Sequence, residues 1–72
     1  MVDSLENGPN YWLVVVEKET GDFKNVNISY EPGTTEEDIK DYYESVNPRV
    51  RVIYNGEGID NRPIPLRGLA YI

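Results

Sequence analysis

The apolar pattern between Val14 and Gly56 changes period twice, and the order it spells is strand, strand, helix, strand. Few folds accept that order in so short a chain. Tyr11-Trp12-Leu13-Val14-Val15-Val16 is aromatic and β-branched, which suits a pleated strand. Its apolar run is unbroken, so both faces of this strand are expected to be covered or used. Glu17 to Asp22 read as a turn, with Gly21 free to adopt positive φ. Phe23 to Tyr30 then alternate: Val26, Ile28 and Tyr30 on one face, Asn25, Asn27 and Ser29 on the other.

Glu31-Pro32-Gly33 ends that strand, and Thr34-Thr35-Glu36-Glu37 reads as a capping box with Thr34 as the cap and Glu37 reaching back. Ile39, Tyr42, Tyr43 and Val46 follow at i, i+3, i+4 and i+7, one apolar stripe on a helix of about three turns. Asn47-Pro48 stops it, because the residue before proline avoids the helical region. Val50 to Tyr54 alternate again as a third strand, and Asn55-Gly56 is the strongest short turn signal in the chain. Leu66 to Ile72 is apolar after the proline-interrupted stretch at Pro63 and Pro65; Leu69-Ala70-Tyr71-Ile72 is expected to be a buried last strand. Residues 1–10, with Asn7-Gly8-Pro9-Asn10, read as a flexible N-terminal arm on a single domain over 11–72.

Composition removes whole classes of chemistry. The 72 residues include no Cys and no His, so thiolate or imidazole metal sites, disulfides, thiol nucleophiles and the usual neutral-pH general base are absent. No convergent acid–base pair stands on a recognisable scaffold, and the expectation is no enzyme and no cofactor. No apolar run reaches the ~18 residues of a membrane span, and the first residues are acidic, so the chain is expected to be intracellular and cytoplasmic.

The net charge of −6 is unevenly spread. Residues 1–48 carry eleven acids against Lys18, Lys24 and Lys40, while 49–72 carry Arg49, Arg51, Arg62 and Arg67 against Glu57 and Asp60. Direct nucleic-acid binding needs a basic footprint and is disfavoured; a protein partner with a basic surface is compatible. Glu36, Glu37, Asp38, Asp41 and Glu44 are explained as helix cap and solvated face better than as a cation site.

Three local patterns together carry a resemblance: the Thr20-Gly21 turn; Tyr30-Glu31-Pro32 followed by a capped helix with Ile39 seven residues after the proline; and Arg51-Val52-Ile53-Tyr54-Asn55-Gly56 after the helix. In that order and spacing the chain resembles the ubiquitin-like β-grasp superfamily over about three quarters of its length. Ile59-Asp60-Asn61-Arg62 looks like the acidic loop after that family's third strand. The resemblance implies an α+β fold, ββαβ with a short C-terminal strand, in a mixed sheet of order 2-1-4-3 packed on one helix. It also makes strand 2 a free edge. There is no Gly-Gly terminus for covalent conjugation, and Glu57 stands where the family often has a lysine. A small immunoglobulin-binding-type ββαββ fold shares the topology and fits the shortened end about as well.

The resemblance places Trp12, Val14 and Val16 under the helix with Val26, Ile28, Tyr30, Val52 and Tyr54. That leaves Leu13, Val15, Arg51 and Ile53, with Tyr11, on an open sheet face, and Ile53 at the position of the family's exposed binding patch. The leading expectation is therefore a non-catalytic protein–protein interaction module that binds through this face. The first alternative is a small acidic inhibitor or nucleic-acid mimic, such as a virus-encoded protein acting on a host enzyme. Glu36, Glu37, Asp41 and Glu44 would then carry the binding. The second is a structural homo-oligomer. Cover by the chain's own N-terminal arm or Pro-rich C-terminal loop is the competing explanation for the open face.

Overall fold

The computed structural model describes residues 9–72. Strands β1 (Tyr11–Glu17), β2 (Phe23–Ile28) and β3 (Val50–Glu57) and helix α1 (Glu36–Val46) follow in the order β1, β2, α1, β3. Two short 3-10 turns, Ile59–Asn61 and Ile64–Leu66, come after β3. Together they form a small α+β domain with a three-stranded antiparallel sheet and one helix. The most apolar segment, β1, is central: β2 and β3 flank it, both antiparallel to it.

This order differs from the expected 2-1-4-3. The place beside β1 is taken by β3 itself, which pairs along the whole of β1 with every residue but Ile53. Nothing inserts between them. The last residues instead reach the outer edge of β2, where a single parallel bridge joins Tyr71 to Asn25. Asn25 N donates to Ala70 O at 2.7 Å and Ile72 N to Asn25 O at 3.1 Å. The two 3-10 turns, with Pro63 and Pro65, interrupt extended backbone between β3 and this segment. Strand β2 is accordingly not a free edge at Asn25, and Tyr71 and Ile72 stay largely exposed. Removing residues 69–72 should lower stability by about 1–3 kcal/mol through these lost bonds, with one cooperative transition retained in urea. Complete unfolding on that truncation would return the segment to the sheet centre.

Helix and turns follow their residues with small shifts. Thr35, not Thr34, is the N-cap: its Oγ1 accepts from Asp38 N at 3.1 Å. Thr34 closes the preceding turn, its hydroxyl donating to Glu31 O at 2.6 Å. Either threonine satisfies the local rule, and the turn over Pro32-Gly33 decides between them. Asn47 ends the helix, with backbone N and side-chain Nδ2 both donating to Tyr43 O. Of the apolar stripe, Ile39 and Tyr43 are buried, while Tyr42 and Val46 are exposed.

The core between sheet and helix comprises Tyr11, Leu13, Val15, Val26, Val50, Val52, Ile39 and Tyr43, with Ile28 and Tyr30 against it. Leu13 and Val15 are each 0% exposed. This reverses the expected orientation of β1. Directly opposed residues share a face, and Val26 opposes Leu13, not Trp12 or Val14. A hairpin loop one residue different in length would have flipped the whole strand. Because β1 is apolar on both faces, its own alternation could not reveal the choice.

A bulge completes the rearrangement. Val14 opposes Tyr54 while Val15 opposes Val52, so Ile53 is the extra residue. Val52 lies in the core and Tyr54, expected beside it, is outside and 56% exposed. The Asn55-Gly56 pair is not a turn but part of β3. Gly56 is needed for another reason: a Cβ there would stand 2.8 Å from the Trp12 ring.

Residues 1–8 of the expected N-terminal arm lie outside the described residues. Its last residue is tied in, since Asn10 Nδ2 donates to Tyr30 O, Asn10 Oδ1 accepts from Tyr30 N, and Asn10 O accepts from Gly58 N.

Candidate protein-binding face

The sheet face away from the helix is built from three cross-strand rows. They are Asn27–Trp12–Gly56, Asn25–Val14–Tyr54 and Phe23–Val16–Arg51. The C-terminal segment lies over the first two and leaves the third free. Asn25, buried, donates from Nδ2 to Leu66 O at 2.9 Å and Leu69 O at 3.2 Å, drawing the segment across the middle row.

Arg62 seals the first row. Its side chain is buried, with the residue 2% exposed, and its guanidinium lies 5.7 Å from the Trp12 ring centroid and 5.3 Å from that of Tyr71. Nη1 donates to Tyr71 Oη at 2.7 Å; Nη2 donates to Val26 O at 3.1 Å and to Asn27 Oδ1. No carboxylate takes part in these bonds. The cation is held by two aromatic faces and three neutral acceptors, an arrangement in which planar Arg outperforms Lys. Arg67 fastens the same segment, its Nε donating to Arg62 O and its Nη2 to Asp60 O. Among the described residues, Trp12 Nε1, Asn25 Oδ1 and Arg62 Nε under the cover, and Tyr30 Oη on the helix side, are buried without hydrogen-bond partners. Each such atom carries a penalty of about 1–3 kcal/mol.

Among the described residues, what remains open is the row Phe23–Val16–Arg51 with Tyr54 beside it. Phe23 is 49% exposed, Arg51 and Tyr54 are exposed, and Val16 is half-buried between them. Of the residues expected to bind a partner, Arg51 is therefore on the open face, and Ile53 is half-buried at the bulge. Leu13 and Val15 are in the core and unavailable. Phe23 and Tyr54 are new here. Tyr54 was hidden by a bulge that no residue pattern announces, and Phe23 by its place at the strand's first residue. Arg62 was also missed, since its acceptors lie 35 and 36 residues away.

The outer edge of β3 is guarded. Glu44 reaches from the helix to accept from Val52 N at 2.8 Å and pairs with Lys40 at 3.8 Å, and the bulge at Ile53 interrupts the strand. Such devices discourage strand addition. Glu44 is thus withdrawn from the acidic helix face, where Glu36, Glu37 and Asp41 stay exposed. Among the described residues, no three or more Asp or Glu come together to hold a metal ion, and no helix is long and apolar enough to cross a membrane.

No family model, curated protein or solved structure matches the chain.

Proposed function

We propose that the domain is a non-catalytic protein-binding module that takes its partner on the uncovered part of the sheet face. The observation that carries this reading is that Phe23, Arg51 and Tyr54 are exposed on one sheet face. Aromatic and Arg side chains of this kind dominate the energetics of protein interfaces. The resemblance to ubiquitin-like β-grasp domains supports a sheet face as the binding surface, although the residues that form it differ from those the pattern suggested. Net charge and the acidic helix tune the encounter toward a basic partner.

The double variant Phe23→Ser/Tyr54→Ser should melt within about 1 kcal/mol of the parent, as exposed substitutions do. Binding should fall at least tenfold, roughly the effect of losing one hot-spot residue. Light scattering over a concentration series reads self-association, and affinity capture reads other partners. Loss of binding in this variant, with little dependence on salt, supports the sheet face. Loss only in Glu37→Gln/Asp41→Asn, with steep salt dependence, would replace it with the acidic-mimic reading.

A further inference from the structure

A second surface, away from the open sheet face, lies where the end of β2 meets the start of α1. Ile28, Tyr30, Glu31, Thr34, Asp38 and Tyr42 line an open groove of about 640 Å³. Two of its lining residues, Tyr30 and Tyr42, are aromatic. The Tyr11 hydroxyl donates to Thr34 O at 3.3 Å, and the Tyr11 ring meets Tyr30 edge-on at 6.0 Å and 68°. Tyr30 in turn meets Tyr42 at 5.8 Å and 88°. The two rings meet edge to face at this corner, and a ring face left outside that contact attracts positive charge within ~6 Å of its centroid.

The rim has the matching sign. Glu31 and Asp38 are exposed carboxylates, and among the described residues no basic one lines the groove. Burial, together with Tyr42 and Tyr43 nearby, pushes the Tyr30 hydroxyl above its ordinary value and keeps that wall a neutral ring. The molecule already uses this chemistry internally, where Trp12 and Tyr71 hold the Arg62 guanidinium.

We propose that the Tyr30–Tyr42 corner is a binding site for a cationic side chain, Arg or Lys, presented by a partner protein. An aliphatic or anionic occupant would forgo the ring faces or meet the two carboxylates. The site stands apart from the sheet face and does not depend on it.

The test is an NMR titration of the labelled chain with three probes: N-acetyl-arginine amide, N-acetyl-lysine amide, and N-acetyl-citrulline amide as the uncharged isostere. The two cations should give saturable shifts concentrated at Tyr30, Asp38 and Tyr42, and citrulline none. Tyr42→Leu keeps apolar bulk but removes the ring and should weaken binding about tenfold, whereas Tyr42→Phe retains it. Glu31→Gln/Asp38→Asn should weaken it more at low salt than at high salt. Phe23→Ser/Tyr54→Ser should leave the titration unchanged, so failure here and failure of the sheet-face reading are separable. Equal response to citrulline, shifts unaltered by Tyr42→Leu, or no saturable shift with either cation would each overturn the proposal.

Discussion

Val52→Asp is expected to abolish the folded state, and Tyr54→Asp, two residues on, to leave the melt nearly unchanged. In a regular strand these positions share a face, and both substitutions would be ruinous or both mild. The bulge at Ile53 separates them: Val52 lies in the helix-facing core and Tyr54 on the opposite face. A carboxylate at Val52 would sit among Val15, Val50 and Tyr43 without a partner. Its penalty, about 4–5 kcal/mol or more, is of the order of the whole stability of so small a domain. At Tyr54 the charge reaches water. Thermal melts of the two variants decide the matter, and equal loss in both would remove the bulge.

Arg62→Ala should cost about 2–4 kcal/mol, a large loss for one side chain. It removes the stacking on Trp12 and Tyr71 and leaves Val26 O, Asn27 Oδ1 and the Tyr71 hydroxyl without their donor. Arg62→Lys should recover only part, because an ammonium cannot present the planar fork that reaches three acceptors. Urea denaturation of the three proteins measures the series. An Arg62→Ala protein as stable as the parent would mean that the C-terminal segment is not held by this residue.

Element order, helix extent and the central place of β1 were all legible in the sequence, since each depends on local period and on Gly, Pro and Thr signals. The alternation of β2 correctly put Val26 and Ile28 toward the helix. What failed was parity. Whether Leu13 or Val14 opposes Val26 depends on the number of residues in the Glu17–Asp22 turn that adopt ladder geometry, a property of backbone conformation rather than composition. The doubly apolar β1 gave no second check. Tyr54 was misplaced for a related reason, because a bulge shifts every later residue while leaving the alternating pattern intact.

The C-terminal segment was misread because burial was inferred from apolarity. Its exposed Tyr71 and Ile72 are anchored by polar groups, Asn25 from β2 and Arg62 from the segment itself, which binds Val26 and Asn27. Neither anchor looks structural in a sequence: Asn25 stood on what read as a wet face, and Arg62 in what read as a loop. Cover by a Pro-rich C-terminal loop was the competing explanation for Leu13, Val15 and Ile53; a C-terminal segment does lie on the sheet, but over Trp12 and Val14, while Leu13 and Val15 are covered by the helix. The tyrosine groove lay unnoticed because Tyr42 belongs to the helix's apolar stripe and was assigned to the core with it.

The chain's own C-terminal segment, locked by Arg62, shields the sheet face around Trp12. Trp12 is the single tryptophan, so its fluorescence reports that contact directly. Acrylamide quenching should be weak in the native protein and should rise toward that of free indole in Arg62→Ala under conditions where the helix and sheet signals persist. If Trp12 instead stays shielded in a folded Arg62→Ala protein, Arg62 does not lock the cover over Trp12, and the claim fails.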